Sequence, residues 1–81
     1  MNRAATELDQ VVALVEEVVG VQGLTADSNL FDVGGDSLTA AHLSLLFEER
    51  FGTPMDVFTI YASENLAEIH QGLLVNAGSP A

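Results

Sequence analysis

Cysteine and lysine are both absent from the 81 residues, and only Arg3 and Arg50 are basic. Without cysteine the chain has no disulfide, no thiolate metal site and no thiol chemistry of its own. Without lysine it has no Gly-rich phosphate loop of the kind that needs one. Twelve acidic residues face the two basic ones, for a formal net charge of −10 at pH 7. Such a surface repels phosphate backbones and anionic headgroups, which argues against nucleic acid and membranes as partners. A protein partner is expected to carry Arg and Lys around its docking site. The longest uninterrupted apolar run is Val11 to Val15, far short of a membrane span. The N-terminus has no apolar signal region, so a cytoplasmic protein is expected.

What is present is apolar. Hydrophobic residues make up 48% of the chain, too many for a disordered acidic tail. The length allows one domain, residues 1–81, with one small core. The helical part is expected over about 4–75, with 76–81 as a flexible tail.

The patterning is helical throughout. Leu8, Val11, Val12, Val15, Val18 and Val19 form a stripe that predicts a helix from about Ala4 to Val19, ended by Gly20. Ser37 to Phe51 reads as a second helix, with Ala40, Leu43, Leu46, Phe47 and Phe51 inward and Gly52 as its stop. A short helix is expected around Asp56 to Tyr61, with Val57, Ile60 and Tyr61 on one side. Ser63 then reads as the N-cap of a last helix to about Val75, with Leu66, Ile69, Leu73 and Leu74 inward. The expected fold is all-α, a bundle of three longer helices and one short third helix. A long connection, Gly20 to Asp36, joins the first two. Leu24, Leu30, Phe31 and Val33 are spaced to pin it to the core, with Thr25, Asp27, Ser28 and Asn29 supplying turn chemistry.

One site stands out, Gly34-Gly35-Asp36-Ser37-Leu38, where the connection meets the second helix. The plain reading makes Ser37 an N-cap, worth about 1 kcal/mol, with the glycines as a hinge. Other features point further. A double glycine lets the backbone take positive φ or approach another group closely. A helix start offers unpaired N–H groups and the positive end of a dipole, suited to an anion on Ser37. Leu38, Ala41 and Leu45 cannot share the inward stripe, so the second helix has a second apolar face.

Ser37 lacks the partners of a catalytic nucleophile. His42 lies about 140° around the helix from it. His70 sits beside the apolar stripe of the last helix and reads as structural. Gly35-Asp36-Ser37-Leu38 also resembles the signature of the Gly-Asp-Ser-Leu esterases, but no Asp is followed by His three residues on. His42, Glu48 and Glu49 share a helix without the i, i+4 ligand pair of a metal site. A displayed serine without machinery to use it reads as the substrate of another protein.

The stretch Leu30-Phe-Asp-Val-Gly-Gly-Asp-Ser-Leu38, followed by Ala-Ala-His-Leu43 and Phe-Glu-Glu-Arg-Phe-Gly52, resembles the phosphopantetheine carrier proteins. These are the acyl carrier and peptidyl carrier proteins. The likeness continues through Ile60-Tyr61 and Leu66-Ala-Glu-Ile69. It implies a four-helix bundle and 4′-phosphopantetheine joined to Ser37, flanked by Gly34, Gly35 and Asp36. It implies no catalysis by the chain itself: a phosphopantetheinyl transferase with Mg²⁺ attaches the arm from coenzyme A. An acyltransferase or adenylating enzyme loads it, and synthase or condensing enzymes with basic docking surfaces use the thioester. Leu38, Ala41, His42, Leu45, Glu48 and Glu49 are the expected docking face of a monomer. His42 stands where fatty-acid carriers have an acidic residue, and the double glycine is more typical of peptidyl carriers. The expected setting is polyketide or nonribosomal peptide biosynthesis, as of antibiotics. Met1 and the short tail suggest a free-standing carrier, a domain from a larger synthase being the other reading. The rival function is a small acidic interaction module in which Ser37 is only a cap.

Overall fold

The computed structural model describes residues 7–78. Among them are four α-helices and no strand: α1 Leu8–Val19, α2 Ser37–Phe51, α3 Val57–Ala62 and α4 Leu66–Asn76. This is the expected all-α bundle, with three longer helices and a short third one.

Helix α1 starts where its cap allows. Glu7 is extended, its backbone carbonyl accepts from the Gln10 N–H at 3.0 Å, and its own N–H donates to Gln10 Oε1 at 2.8 Å. That reciprocal pair satisfies two of the donors a helix start leaves open. The expected earlier start falls on residues 4–6, outside the described residues. Gly20, at φ 75°, closes the helix by donating to Glu16 O. Val11, Leu14 and Val15 are buried, while Val12, Val18 and Val19 pack only partly against the core. Leu14, missing from the expected stripe, is therefore at its centre. Val11, Leu14, Val15 and Val18 fit helical spacing as well as the expected set of Leu8, Val11, Val12, Val15, Val18 and Val19, and packing against the other helices decides between them.

Helix α2 buries Ala40, Leu43 and Phe47, with Leu46 and Phe51 partly buried as expected. The Phe47 and Phe51 rings stack at 5.9 Å. Helix α3 is capped by Asp56, whose Oδ2 accepts from the Phe58 and Thr59 N–H groups at 3.0 and 3.3 Å. In fewer than two turns Ile60 is the fully buried position, and Val57, also expected inward, packs partly against the core. Tyr61, expected inward, is instead 52% exposed. Its ring meets Phe31 edge-on at 4.8 Å.

The start of α4 also differs from expectation. Asn65, not Ser63, is the N-cap, its Oδ1 accepting from Glu68 N–H at 2.9 Å. Ser63 ends α3 instead, its hydroxyl donating to Thr59 O at 2.7 Å. A hydroxyl three residues before Leu66 is committed to the preceding helix. Leu66, Ile69 and Leu73 are buried as expected, and Leu74 half-buried. Asn76, expected to open the tail, is the last helical residue, and its Nδ2 donates to Pro54 O at 3.0 Å.

The connection between α1 and α2 is ordered by polar bonds as much as by apolar anchors. Leu30 is 1% exposed and belongs to the core, while Leu24, Phe31 and Val33 are half-buried. Glu16 accepts from the Gly23 and Leu24 N–H groups at 2.8 and 3.0 Å. Two N–H donors that α4 cannot satisfy internally find acceptors here: Leu66 donates to Ser28 O and Ala67 to Ala26 O, both at 3.0 Å. An exposed bidentate pair, Arg50 to Glu17 at 3.1 and 3.0 Å, joins the last turns of α1 and α2. Thr53 and Met55 are buried in the α2–α3 link, and Ser44 Oγ donates to Met55 O at 2.6 Å.

Candidate functional site

The double glycine does two different jobs. Gly34 adopts φ 101°, a conformation costly for other residues, and a Cβ built there would meet nothing within 4 Å. A Cβ on Gly35 would lie 2.7 Å from both Leu30 Cγ and Leu30 O. Its N–H donates to that same carbonyl at 2.9 Å. One glycine is open to solvent and allows the turn; the other is pressed against the core residue Leu30.

Asp36 follows as the N-cap of α2. Its Oδ1 accepts from the Thr39 N–H at 3.0 Å and from the Thr39 hydroxyl at 3.1 Å. These bonds, the backbone one foremost, hold the Asp36 carboxyl below its ordinary value. The plain expectation that Ser37 caps the helix is thereby corrected. Ser37 is the first helical residue, its side chain is exposed, and none of its neighbours among the described residues hydrogen-bonds its hydroxyl. Capping needs an acceptor on the extended residue before the first turn, and Asp36 occupies that place.

The structure places the other expected residues along α2. Leu38 and Leu45 are 77% and 66% exposed. Ala41 is half-buried, and His42, Glu48 and Glu49 are exposed. His42 and Ser37 are on the same helix but well apart around it, and His70, on α4, is half-buried. Among the described residues no group of three or more His, Asp or Glu is placed to hold a metal ion. No described helix is long and apolar enough to cross a membrane.

Two contributors escaped the reading of the sequence. Asn29 showed only as turn chemistry. Its Oδ1 accepts from the Phe31 and Asp32 N–H groups at 2.8 and 3.1 Å, and its Nδ2 donates to Glu64 O at 2.8 Å. Glu16, which belongs to no motif, holds the start of the connection. A partner 35 residues away leaves no local pattern to read.

The class defined by fold and site is a small helical bundle that displays one serine at the start of its second long helix. The family described as "phosphopantetheine attachment site" matches residues 9–72. The chain belongs to that family, whose carrier proteins hold 4′-phosphopantetheine covalently. No individual curated protein is significantly similar to it.

Proposed function

We propose that residues 1–81 are a single carrier domain with Ser37 as its attachment residue, serving polyketide or nonribosomal peptide biosynthesis. A separate phosphopantetheinyl transferase modifies it, and an acyltransferase or adenylating enzyme loads it. The observation that carries the reading is the division of labour between Asp36 and Ser37. Because the carboxylate caps α2, the adjacent hydroxyl is exposed and uncommitted. The site also suits an anionic substituent. The helix start is electropositive, and the open side of Gly34 leaves room for bulk beside it. When bound, the arm supplies the thiol that the cysteine-free chain lacks.

Leu38, Ala41 and Leu45 are proposed as the apolar centre of the docking face, with His42, Glu48 and Glu49 at its rim. The exposure of Leu38 and Leu45 supports this, since most of each side chain is left uncovered by the chain itself. The acidic rim selects partners with basic surfaces.

Intact-mass spectrometry tests the assignment. With coenzyme A and a phosphopantetheinyl transferase, the wild-type chain gains one phosphopantetheine and Ser37→Ala gains none. Modification of the alanine variant, or an unmodified wild type with several transferases, removes the assignment.

A further inference from the structure

We propose that Asn29 is a positioning residue for modification of Ser37, an inference that rests on Ser37 being the attachment residue. The side chain works in two directions at once. Its Oδ1 accepts from the Phe31 and Asp32 N–H groups at 2.8 and 3.1 Å, which folds the chain just after it. Its Nδ2 donates to the backbone carbonyl of Glu64 at 2.8 Å, which ties that fold to the link between α3 and α4. No side chain elsewhere among the described hydrogen bonds both organises the approach to Ser37 and anchors it to a distant segment.

From this anchor a short chain of contacts leads to the serine. Val33 N–H donates to Asn29 O at 3.3 Å, Gly34 N–H to Phe31 O at 3.2 Å, and Gly35 N–H to Leu30 O at 2.9 Å. Asp36 and Ser37 come next. The segment has one fully buried apolar anchor, Leu30, with Phe31 and Val33 half-buried, so its geometry depends on polar bonds more than the helices do. Phe31 adds an edge-on contact to Tyr61, but that ring is half exposed and constrains the loop weakly. Losing the Asn29–Glu64 bond leaves a carbonyl without its partner and frees residues 29–35 to sample other conformations. A transferase that needs one loop conformation then binds only the competent fraction. Its apparent affinity falls by that fraction while the chemical step, once bound, is unchanged.

Asn29→Asp separates the two functions. The variant retains the acceptor for Phe31 and Asp32 and replaces the donor with an oxygen that repels the Glu64 carbonyl. Asn29→Ala loses both. Two measurements are made on the full chain: amide hydrogen exchange at Gly34 and Gly35, and steady-state modification by a phosphopantetheinyl transferase with coenzyme A. In Asn29→Asp, exchange at both glycines is expected to accelerate about tenfold, and KM for the carrier to rise by a similar factor with kcat within about twofold. Asn29→Ala is expected to exceed it in both; should it unfold, Asn29→Asp still decides. Val18→Ala, in α1, matches a general loss of stability and is expected to move neither quantity. Unchanged exchange, unchanged KM, or equal effects from Val18→Ala overturns the positioning role and leaves Ser37 as the attachment residue. A wild-type chain that stays unmodified overturns the attachment reading first, and the positioning role with it.

Discussion

Helices α1 and α2 use their apolar residues in different ways. Helix α1 gathers them on one side and, apart from Ala13, buries or half-buries all of them. Helix α2 divides them: Ala40, Leu43 and Phe47 are fully buried on one side, while Leu38 and Leu45 stand exposed on another. A helix that serves only the fold has one apolar stripe. The second stripe on α2 costs solvation without contributing to the core, and it begins one residue after the displayed serine. The buried stripe is scaffold, and the exposed one is the face proposed for docking.

Leu43→Ala against Leu38→Ala tests that separation with the largest expected change in stability. Truncating fully buried Leu43 is expected to cost about 2–5 kcal/mol, read as a large drop in the urea midpoint. Leu38→Ala is expected to lie within about 0.5 kcal/mol of wild type while weakening association with a partner enzyme. Equal losses of stability would erase the distinction between the two faces.

Gly35→Ala is next. The added methyl meets Leu30 Cγ and Leu30 O, so the loop or the core side chain must shift. A cost of about 1–3 kcal/mol is expected, together with slower modification of Ser37. Thermal melts and intact-mass time courses check both. Gly34→Ala has no clash to relieve and is penalised only by its φ of 101°.

A smaller effect sharpens the role of Asp36. Its carboxyl is held below the ordinary value of 3.8, so the folded state favours the ionised form. The stability this contributes is fully present above that ordinary value and is lost as pH falls through the lower folded value. In thermal melts from pH 7 to pH 3, the gap between wild type and Asp36→Ala is expected to hold steady and then narrow below about pH 4. A gap that widens toward low pH would contradict the capping geometry. Reversing the charge at Glu48 and Glu49 should have the least effect on stability. The melting temperature is expected to stay nearly constant, while association with a basic partner slows at low salt.

Much of this molecule is legible in its residue order. The four helices, the stops at Gly20 and Gly52, the inward sets of α2 and α4, and the Gly-Gly-Asp-Ser junction all follow from periodicity and turn chemistry. These signals are local, with side chains three or four residues apart deciding each one. The errors fall where local signals are degenerate. Leu14 fits helical spacing as well as the expected stripe does, and Asn65 caps as well as Ser63 would; only the neighbouring helix or link discriminates. The bland alternative of Ser37 as the cap fails for the same reason, because aspartate and serine cap equally well and the backbone angle places the cap at Asp36.

The order of residues alone therefore determined that this chain would be a small acidic helical bundle with a serine displayed at the start of its second helix. Tertiary structure decided how that serine is held: Gly35 against Leu30, Asn29 on the Glu64 carbonyl, and the α4 amide groups on the connection. Those contacts join positions far apart in the chain. They exist only once the hydrophobic core has brought the segments within hydrogen-bond reach.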